Sequence, residues 1–329
     1  MKAILVNNDR SLRWDNVPDP VLGERDVLIE IHYAALNRAD LMQRAGDYPP
    51  PPGAPEWMGL EVSGYIRSMG IKAQTESPFR VGDAVCALLG GGGYAEYAAV
   101  PYDMLMPIPA GKTLAEAAAM PEAYCTAYLN LIYEGMAKPG ETLLVTAGAS
   151  GLASVIIPMA KAFGLRVITT VRNSASAARI ASLGADRIVN MEQENLADVL
   201  HEELDAGTPV SIAIDCLGGE DMGKCFAYLE RGARWIMIAA LAGTVTEIDL
   251  KTVYVRGIRL IGSTLRSRAP EFKAALIREL TERVWPMAAD GRIPSCIHGI
   301  YPITEAETAH EIMQRGGHQG KLVLKVRES

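Results

Sequence analysis

The pattern of apolar and polar positions changes near residue 120, and the clearest stretch lies beyond that point, from Glu141 to Gly164. Thr142 to Ala147 is a short apolar run of the kind that forms a buried parallel strand, and it breaks into a turn of small residues. Leu152, Val155, Ile156, Met159, Ala160 and Phe163 then recur at helical spacing and predict one continuous apolar face. The alternation repeats downstream. Strands are predicted over Arg166 to Val171, Arg187 to Asn190, Val210 to Asp215 and Arg234 to Ala240, with helices over Ser174 to Leu183 and Asn195 to Asp205. Strands alternating with helices predict an α/β fold with a doubly wound parallel sheet, whose ligands sit at the carboxyl ends of the strands.

Residues 1 to 120 follow a different pattern. Lys2 to Val6, Val27 to Ala35, Val62 to Met69, Ala84 to Leu88 and Ala95 to Val100 read as strands, and the stretch offers one short helical candidate, Arg38 to Ala45, before a helix over Thr113 to Met120. This predicts a mainly antiparallel, barrel-like β domain. Beyond a turn at 263–268, helices over Glu271 to Ala289 and Glu305 to Arg315 and a strand over Lys321 to Val326 close the chain. The expected division is a discontinuous β domain, residues 1–120 and 263–329, and a nucleotide domain, residues 121–262, with the active site in the cleft between them.

Composition narrows the function classes. The net charge is −7 and no Lys/Arg block occurs, so a nucleic-acid or anionic-membrane partner has no electrostatic footprint. No apolar segment has the length of a membrane span, and the N-terminus lacks the apolar run of a signal peptide. Cysteines 86, 125, 216, 225 and 296 are scattered, odd in number and without zinc-ligand spacing, which favours a reducing, cytoplasmic setting.

The candidate chemistry falls in three places. The turn Ala147, Gly148, Ser150, Gly151, Leu152, Ala153 is an imperfect G-x-G-x-x-G, either a tight structural turn or a corner at which backbone N–H groups and a helix N-terminus meet a pyrophosphate. The repeating strands and helices behind it favour the second. After the second strand, Thr169 to Ser174 contains no acid to hold a ribose 2′-hydroxyl, while Arg172 offers a forked donor suited to a 2′-phosphate. That pattern favours NADPH over NADH; the competing reading of Arg172 is a solvated surface arginine. In the β domain, Asn37 and Asp40, spaced i, i+3, read as an N-cap and first-turn acid that could face one side of a short helix. Tyr48, before the proline run 49–52, reads from the residues alone as a packed loop anchor.

These motifs resemble the medium-chain dehydrogenase/reductase superfamily, in its zinc-free quinone oxidoreductase (zeta-crystallin-like) branch, and most of all its tumour-suppressor-inducible subgroup. The resemblance spans essentially the whole chain. It rests on AsnArgAlaAspLeuMetGlnArg (37–44), GlyLeuGlu (59–61), ProGluAlaTyr (121–124), AlaGlyAlaSerGly (147–151), AspCysLeuGlyGly (215–219) and LeuArgSerArg (265–268). Zinc-dependent relatives carry a Cys near position 37, a Gly-His-Glu triplet near 59 and a four-Cys lobe. Here Asn37, Leu60 and the scattered cysteines replace them, so no metal is expected, and Glu61 reads as a carboxylate left in a hydrogen-bonded strand.

The resemblance implies a GroES-like β domain and a small-molecule quinone or conjugated carbonyl as acceptor. It places Asn37, Asp40 and Tyr48 around that acceptor. NADPH would lie along Thr126, the 147–153 turn, Arg172, Asn173, Asn190, Cys216, Leu217, Gly218, Ala239, Ala240, Leu241, Leu265 and Lys321. It also implies a homodimer or a dimer of dimers. The family more often has Gly at the Arg172 position, Lys a few residues later and Tyr where Met191 stands, so the phosphate ligands besides Arg172 are open. An enone or enoyl-thioester reductase of the same fold, and a non-catalytic NADPH-binding sensor, are the alternatives.

Overall fold

The computed structural model of the chain describes residues 1–327 and divides into two compact units. One comprises Met1–Cys125, Arg266–Gly291 and Ser295–Ser329; the other Thr126–Leu265 and Arg292–Pro294.

In the first, the β unit, a mixed seven-stranded sheet runs in the order Ile297–Pro302, Lys321–Lys325, Asp26–Ala35, Glu61–Met69, Ala84–Leu88, Leu105–Pro107, with Tyr97–Pro101 also on Asp26–Ala35. All pairs are antiparallel except Ile297–Pro302 on Lys321–Lys325. The ten-residue strand Asp26–Ala35 is the spine, with Val27, Ile29, Ile31, Ala34 and Ala35 buried. Its exit decides the chemistry. The last residue pairs with Val323 on one side, and Ala34 pairs with Val62 on the other. Leu36 and Asn37 therefore emerge between Lys321 and Glu61, the first residues of the flanking strands.

Several elements of this unit differ from the pattern-based expectation, among them strands Leu12–Asn16 and Leu105–Pro107. Helix Ile71–Glu76 carries too few periodic apolar positions to be read, since Ala73 alone is buried. Strand Ile297–Pro302 contains Gly299 and ends in Pro302, and none of its residues is fully buried, so its apolar signal is weak.

The second, α/β unit holds a parallel six-stranded sheet in the order Arg187–Asn190, Arg166–Val171, Thr142–Val145, Val210–Asp215, Arg234–Met237, Arg259–Gly262. Counted in chain order this is 3-2-1-4-5-6, the doubly wound nucleotide-binding arrangement, which switches direction between Thr142–Val145 and Val210–Asp215. Leu144, Ile168, Val189, Ala213, Phe226 and Trp235 form its core. Helix Ala153–Ala162 is buried from Ala153 through Ala160, a wider burial than the single apolar face the spacing predicts.

Candidate functional site

The α/β unit builds its corner mostly from backbone. Ala147 turns the chain with a left-handed φ of 56°. Its N–H donates to Thr170 Oγ1 at 3.1 Å, and Gly148 N–H donates to the Thr170 carbonyl at 2.7 Å. A Cβ at Gly148 would lie 2.4 Å from Thr169 Oγ1, so close packing against the second strand requires glycine there. Ser150 Oγ accepts the N–H of Ala153 at 3.1 Å, closing the turn onto the helix. Thr146, Ser150, Leu152, Ala153, Cys216 and Ile238 line a small pocket at the carboxyl ends of the strands.

Across the switch point, the buried Asp215 carboxylate shapes the next turn. It accepts Thr146 Oγ1 at 2.8 Å, Leu217 N–H at 2.8 Å, Gly218 N–H at 3.3 Å and Trp235 Nε1–H at 3.1 Å. Leu241 N–H donates to the Cys216 carbonyl and Ala242 N–H to that of Leu217, so the Ala239–Leu241 segment runs beside Cys216 and Leu217. Asn173 caps helix Ser174–Ile180 by accepting the N–H of Ser176 at 3.0 Å. The buried Asn190 side chain donates to Ser174 Oγ at 2.9 Å. Arg172 is exposed, and no carboxylate follows it before Asp186 in the chain. Leu265 is buried, and the carbonyl of Thr126 accepts Asn130 Nδ2. The turn, the Asn173–Asn190 pair and the two later strand ends thus lie together at the carboxyl ends of the strands, the edge at which doubly wound sheets bind their ligands.

The β unit gathers side chains instead. Glu61 is fully buried and organises them. Its Oε1 accepts Asn37 Nδ2 at 3.0 Å and lies 2.7 Å from Lys321 Nζ; its Oε2 accepts the backbone N–H of Glu122 at 2.9 Å. Lys321 Nζ also donates to Asn37 Oδ1 at 2.6 Å and to the Leu36 carbonyl at 2.7 Å. The three donors of that ammonium are thereby used within this unit. Lys321 pairs with Glu61 and fixes the Asn37 amide.

Asp40 is placed differently from the pocket expectation. It is 1% exposed, with Oδ2 accepting Asn37 N–H at 2.7 Å and Tyr94 O–H at 3.0 Å, and Oδ1 accepting Gly59 N–H at 3.1 Å. It therefore positions its neighbours and does not face an acceptor, and burial pushes its carboxyl up to about 6. Asn37 keeps part of its surface exposed at the head of helix Arg38–Ala45. Gly59, at φ 105°, has no room for a Cβ, which would fall 2.5 Å from the Tyr94 nitrogen.

Tyr48 is half-buried beneath Arg266, whose guanidinium carbon lies 5.1 Å from the ring centroid. Arg266 is itself 6% exposed. Its Nε donates to the Gly90 carbonyl at 2.8 Å, Nη1 to the Tyr48 carbonyl at 3.3 Å and Nη2 to Gln43 Oε1 at 2.7 Å. One arginine so binds the glycine run, the proline loop and the first helix. Glu122 carries a carboxyl pushed up to about 7, by burial first and then by the neighbouring Glu61 charge. The motifs at 121–124 and 265–268 include Glu122 and Arg266, whose contacts with Glu61 and with the 43–48 and 90 segments the sequence does not signal.

Two domain families match the chain: the alcohol dehydrogenase GroES-like domain over residues 23–110 and the zinc-binding dehydrogenase domain over residues 151–282. A mouse quinone oxidoreductase is 29% identical over 311 residues, covering 93% of this chain and 90% of the mouse protein. A bovine prostaglandin reductase-3 is 30% identical over 275 residues, covering 81% and 71%. The Thermus thermophilus quinone oxidoreductase, solved alone and with NADPH, superposes with a TM-score of 0.82 at 27% identity, over 99% of this chain and all of that one.

The residues present do not fit the zinc that the second domain name suggests. An amide and a leucine stand at 37 and 60, and the Lys321 ammonium already lies beside Asn37 and Glu61. Among the described residues, no three His, Cys, Asp or Glu side chains come together as a metal-holding group. The doubly wound sheet, the GroES-like unit and relatives matched over 71–90% of their own length together make this chain an oxidoreductase of the medium-chain dehydrogenase/reductase superfamily, in its quinone oxidoreductase branch.

Proposed function

We propose that the chain is an NADPH-dependent, metal-independent reductase that passes a hydride to a quinone or a related conjugated carbonyl. The observation that carries the cofactor choice is the end of strand Arg166–Val171, where no acid stands and Arg172 is exposed. The acceptor class draws on the names of the mouse and Thermus relatives. The 147–153 turn would hold the pyrophosphate, Arg172, Asn173 and Asn190 the adenosine end, and the segments 216–218 and 239–241 the run toward the nicotinamide. Bound there, NADPH supplies the hydride.

The β unit's own residues would do the rest. Tyr48, stacked under Arg266, offers a flat face and a hydroxyl to a planar acceptor. The Asn37 amide, locked by Lys321 and Glu61, keeps one N–H uncommitted to either of them and available to a carbonyl oxygen that gains charge. A second reading, reduction of an enone or enoyl thioester, is favoured by the likeness to prostaglandin reductase-3; it differs in the acceptor and keeps the same groups.

Cofactor oxidation followed with quinones, enones and enoyl thioesters in turn separates the two readings. A protein that NADPH protects against heat but that oxidises none of it with any acceptor would be a binder and would overturn both. Titration should show tighter binding of NADPH than NADH, with Arg172→Ala weakening NADPH alone by one to two decades, since such a contact is worth about 1.5–3 kcal/mol. Equal affinities in the wild type would overturn the cofactor choice, and loss of turnover on chelation would overturn metal independence.

A further inference from the structure

Arg266 carries a charge that the β unit buries without pairing it. The residue is 6% exposed and permanently ionised, and a buried cation ordinarily has a carboxylate partner. Here Nε donates to the Gly90 carbonyl, Nη1 to the Tyr48 carbonyl and Nη2 to Gln43 Oε1. All three acceptors are neutral, and they take three of its five N–H groups. Among the described residues Arg266 forms no ion pair, and the charges of Asp40 and Glu122 reach it only through space. The Asp40 oxygens are taken by Asn37, Gly59 and Tyr94. In the first turn of helix Pro270–Ala289, the half-buried Lys273 ammonium lies 3.5 Å from the Arg266 carbonyl, again with no ion pair among the described residues.

A buried cation that the fold leaves unpaired is set to meet negative charge from outside it. Tyr48 lies where that charge can be felt. The guanidinium carbon is 5.1 Å from the centroid of its ring, and Tyr48 keeps part of its surface open. A positive charge held against a phenol favours the form in which the oxygen is negative, so it makes the hydroxyl a stronger hydrogen-bond donor. Burial and the Glu122 charge act on that hydroxyl in the opposite sense, and Arg266 offsets them.

We propose that Arg266 is the positioning residue that prepares Tyr48 for a negative acceptor oxygen: its charge strengthens the hydrogen bond that the Tyr48 hydroxyl gives to the oxygen on which charge gathers as hydride arrives. The assignment rests on the reductase reading above. The oxygen is neutralised afterwards by a proton from water. Arg266 also fixes the donor, because Nη1 holds the carbonyl of the same tyrosine. With three bonds clamping the guanidinium before any acceptor enters, little rearrangement accompanies the arrival of charge. Lysine at this position would supply the charge but not the fork that spans residues 43, 48 and 90.

The test uses the full-length protein saturated with NADP⁺ and 4-nitrophenol as probe, a planar phenol whose neutral and ionised forms absorb differently. Absorbance against pH gives the midpoint of the bound probe. On the wild type that midpoint should fall by about one pH unit from its value in water, a tenfold preference for the phenolate. Arg266→Met should abolish the shift and Arg266→Lys should keep part of it. A purely structural clamp would change how much probe binds and leave its midpoint alone. In turnover, Arg266→Met should lose about 10²-fold, the lower end for loss of an oxyanion donor, mainly in kcat, with NADPH affinity kept. A probe that ionises on the wild type as in water, or a midpoint unchanged in Arg266→Met, would overturn the assignment. Should Arg266→Met not fold, Tyr48→Phe decides it, because the charge acts through that hydroxyl, and a full shift in Tyr48→Phe overturns it as well. A wild type that oxidises NADPH with no acceptor overturns the reductase reading and this one together; a wild type that reduces quinones while the probe ionises as in water overturns this one alone.

Discussion

The corner at 146–153 and the cluster around Glu61 do different physical jobs with different materials. The corner uses backbone: N–H groups, a helix start, one left-handed alanine and one glycine with no space for a Cβ. Its side-chain contribution is a few small hydroxyls. The cluster draws its groups from positions 37, 61, 122 and 321 and binds them by charge. A backbone site tolerates loss of a side chain because its donors belong to the fold itself. A side-chain site does not, because each buried charge is soluble in the interior only while its partner remains.

The largest expected effect follows from that contrast. Lys321→Met would leave Glu61, fully buried, without its counter-ion, and breaking a buried pair from one side costs about 3–5 kcal/mol. Glu61→Gln together with Lys321→Met should recover part of that loss. At the corner, Ser150→Ala removes one Oγ bond to Ala153 and should cost about 1 kcal/mol. Urea unfolding of the four proteins checks the contrast. A Lys321 loss no larger than the Ser150 loss would break it.

The same difference explains what could be read from the chain alone. The corner was legible because its signal is local: an apolar run, small residues and a helical period within about 24 positions, repeated along the unit. The helices after Asn173 and Asn195 could be read for the same reason. The cluster was only half legible. Asn37, Asp40 and Tyr48 stood out in one motif, but the partners that decide their roles lie far away in sequence. Glu61 is 260 residues from Lys321, and Arg266 reaches two backbone carbonyls and Gln43 across more than 170 positions. No periodicity encodes such contacts. Asp40 shows the consequence: spacing placed it on one face with Asn37, whereas Tyr94 and Gly59 hold it inside.

Asp40 gives the next largest effect, through pH. Its carboxyl is raised from an ordinary value near 3.8 to about 6 in the folded chain, so between those values the native state binds more protons than the unfolded state. Stability from this group is therefore full below about pH 4 and is lost as pH rises through 6, amounting to about 2–3 kcal/mol. Asp40→Asn removes that dependence. The stability difference between wild type and variant, measured by urea unfolding, should move against the wild type by that amount from pH 4 to pH 8. Other carboxyls, Glu122 included, cancel in the difference. A difference that stays flat with pH would mean that Asp40 titrates normally and that its burial is not what governs it.

The smallest effect on stability belongs to Tyr48, and it is the most informative about the acceptor. The ring lies under the Arg266 guanidinium, a contact worth about 0.5–1 kcal/mol where part of the ring meets solvent. Phenylalanine keeps that contact and alanine loses it. Arg266 would still hold the loop through the carbonyls of Tyr48 and Gly90, so neither variant should unfold the site. Activity then separates the two ways in which Tyr48 can serve a flat acceptor. If Tyr48→Phe keeps most of the turnover while Tyr48→Ala loses it, the ring face is the contribution. If Phe is as poor as Ala, the hydroxyl is needed, and the loss should fall mainly on kcat, as expected of a bond made in the transition state. NADPH affinity should stay unchanged in all three proteins, because none of the groups proposed to hold the cofactor is altered in them. Wild-type turnover in Tyr48→Ala would reduce Tyr48 to a loop anchor and move the acceptor away from the proline run.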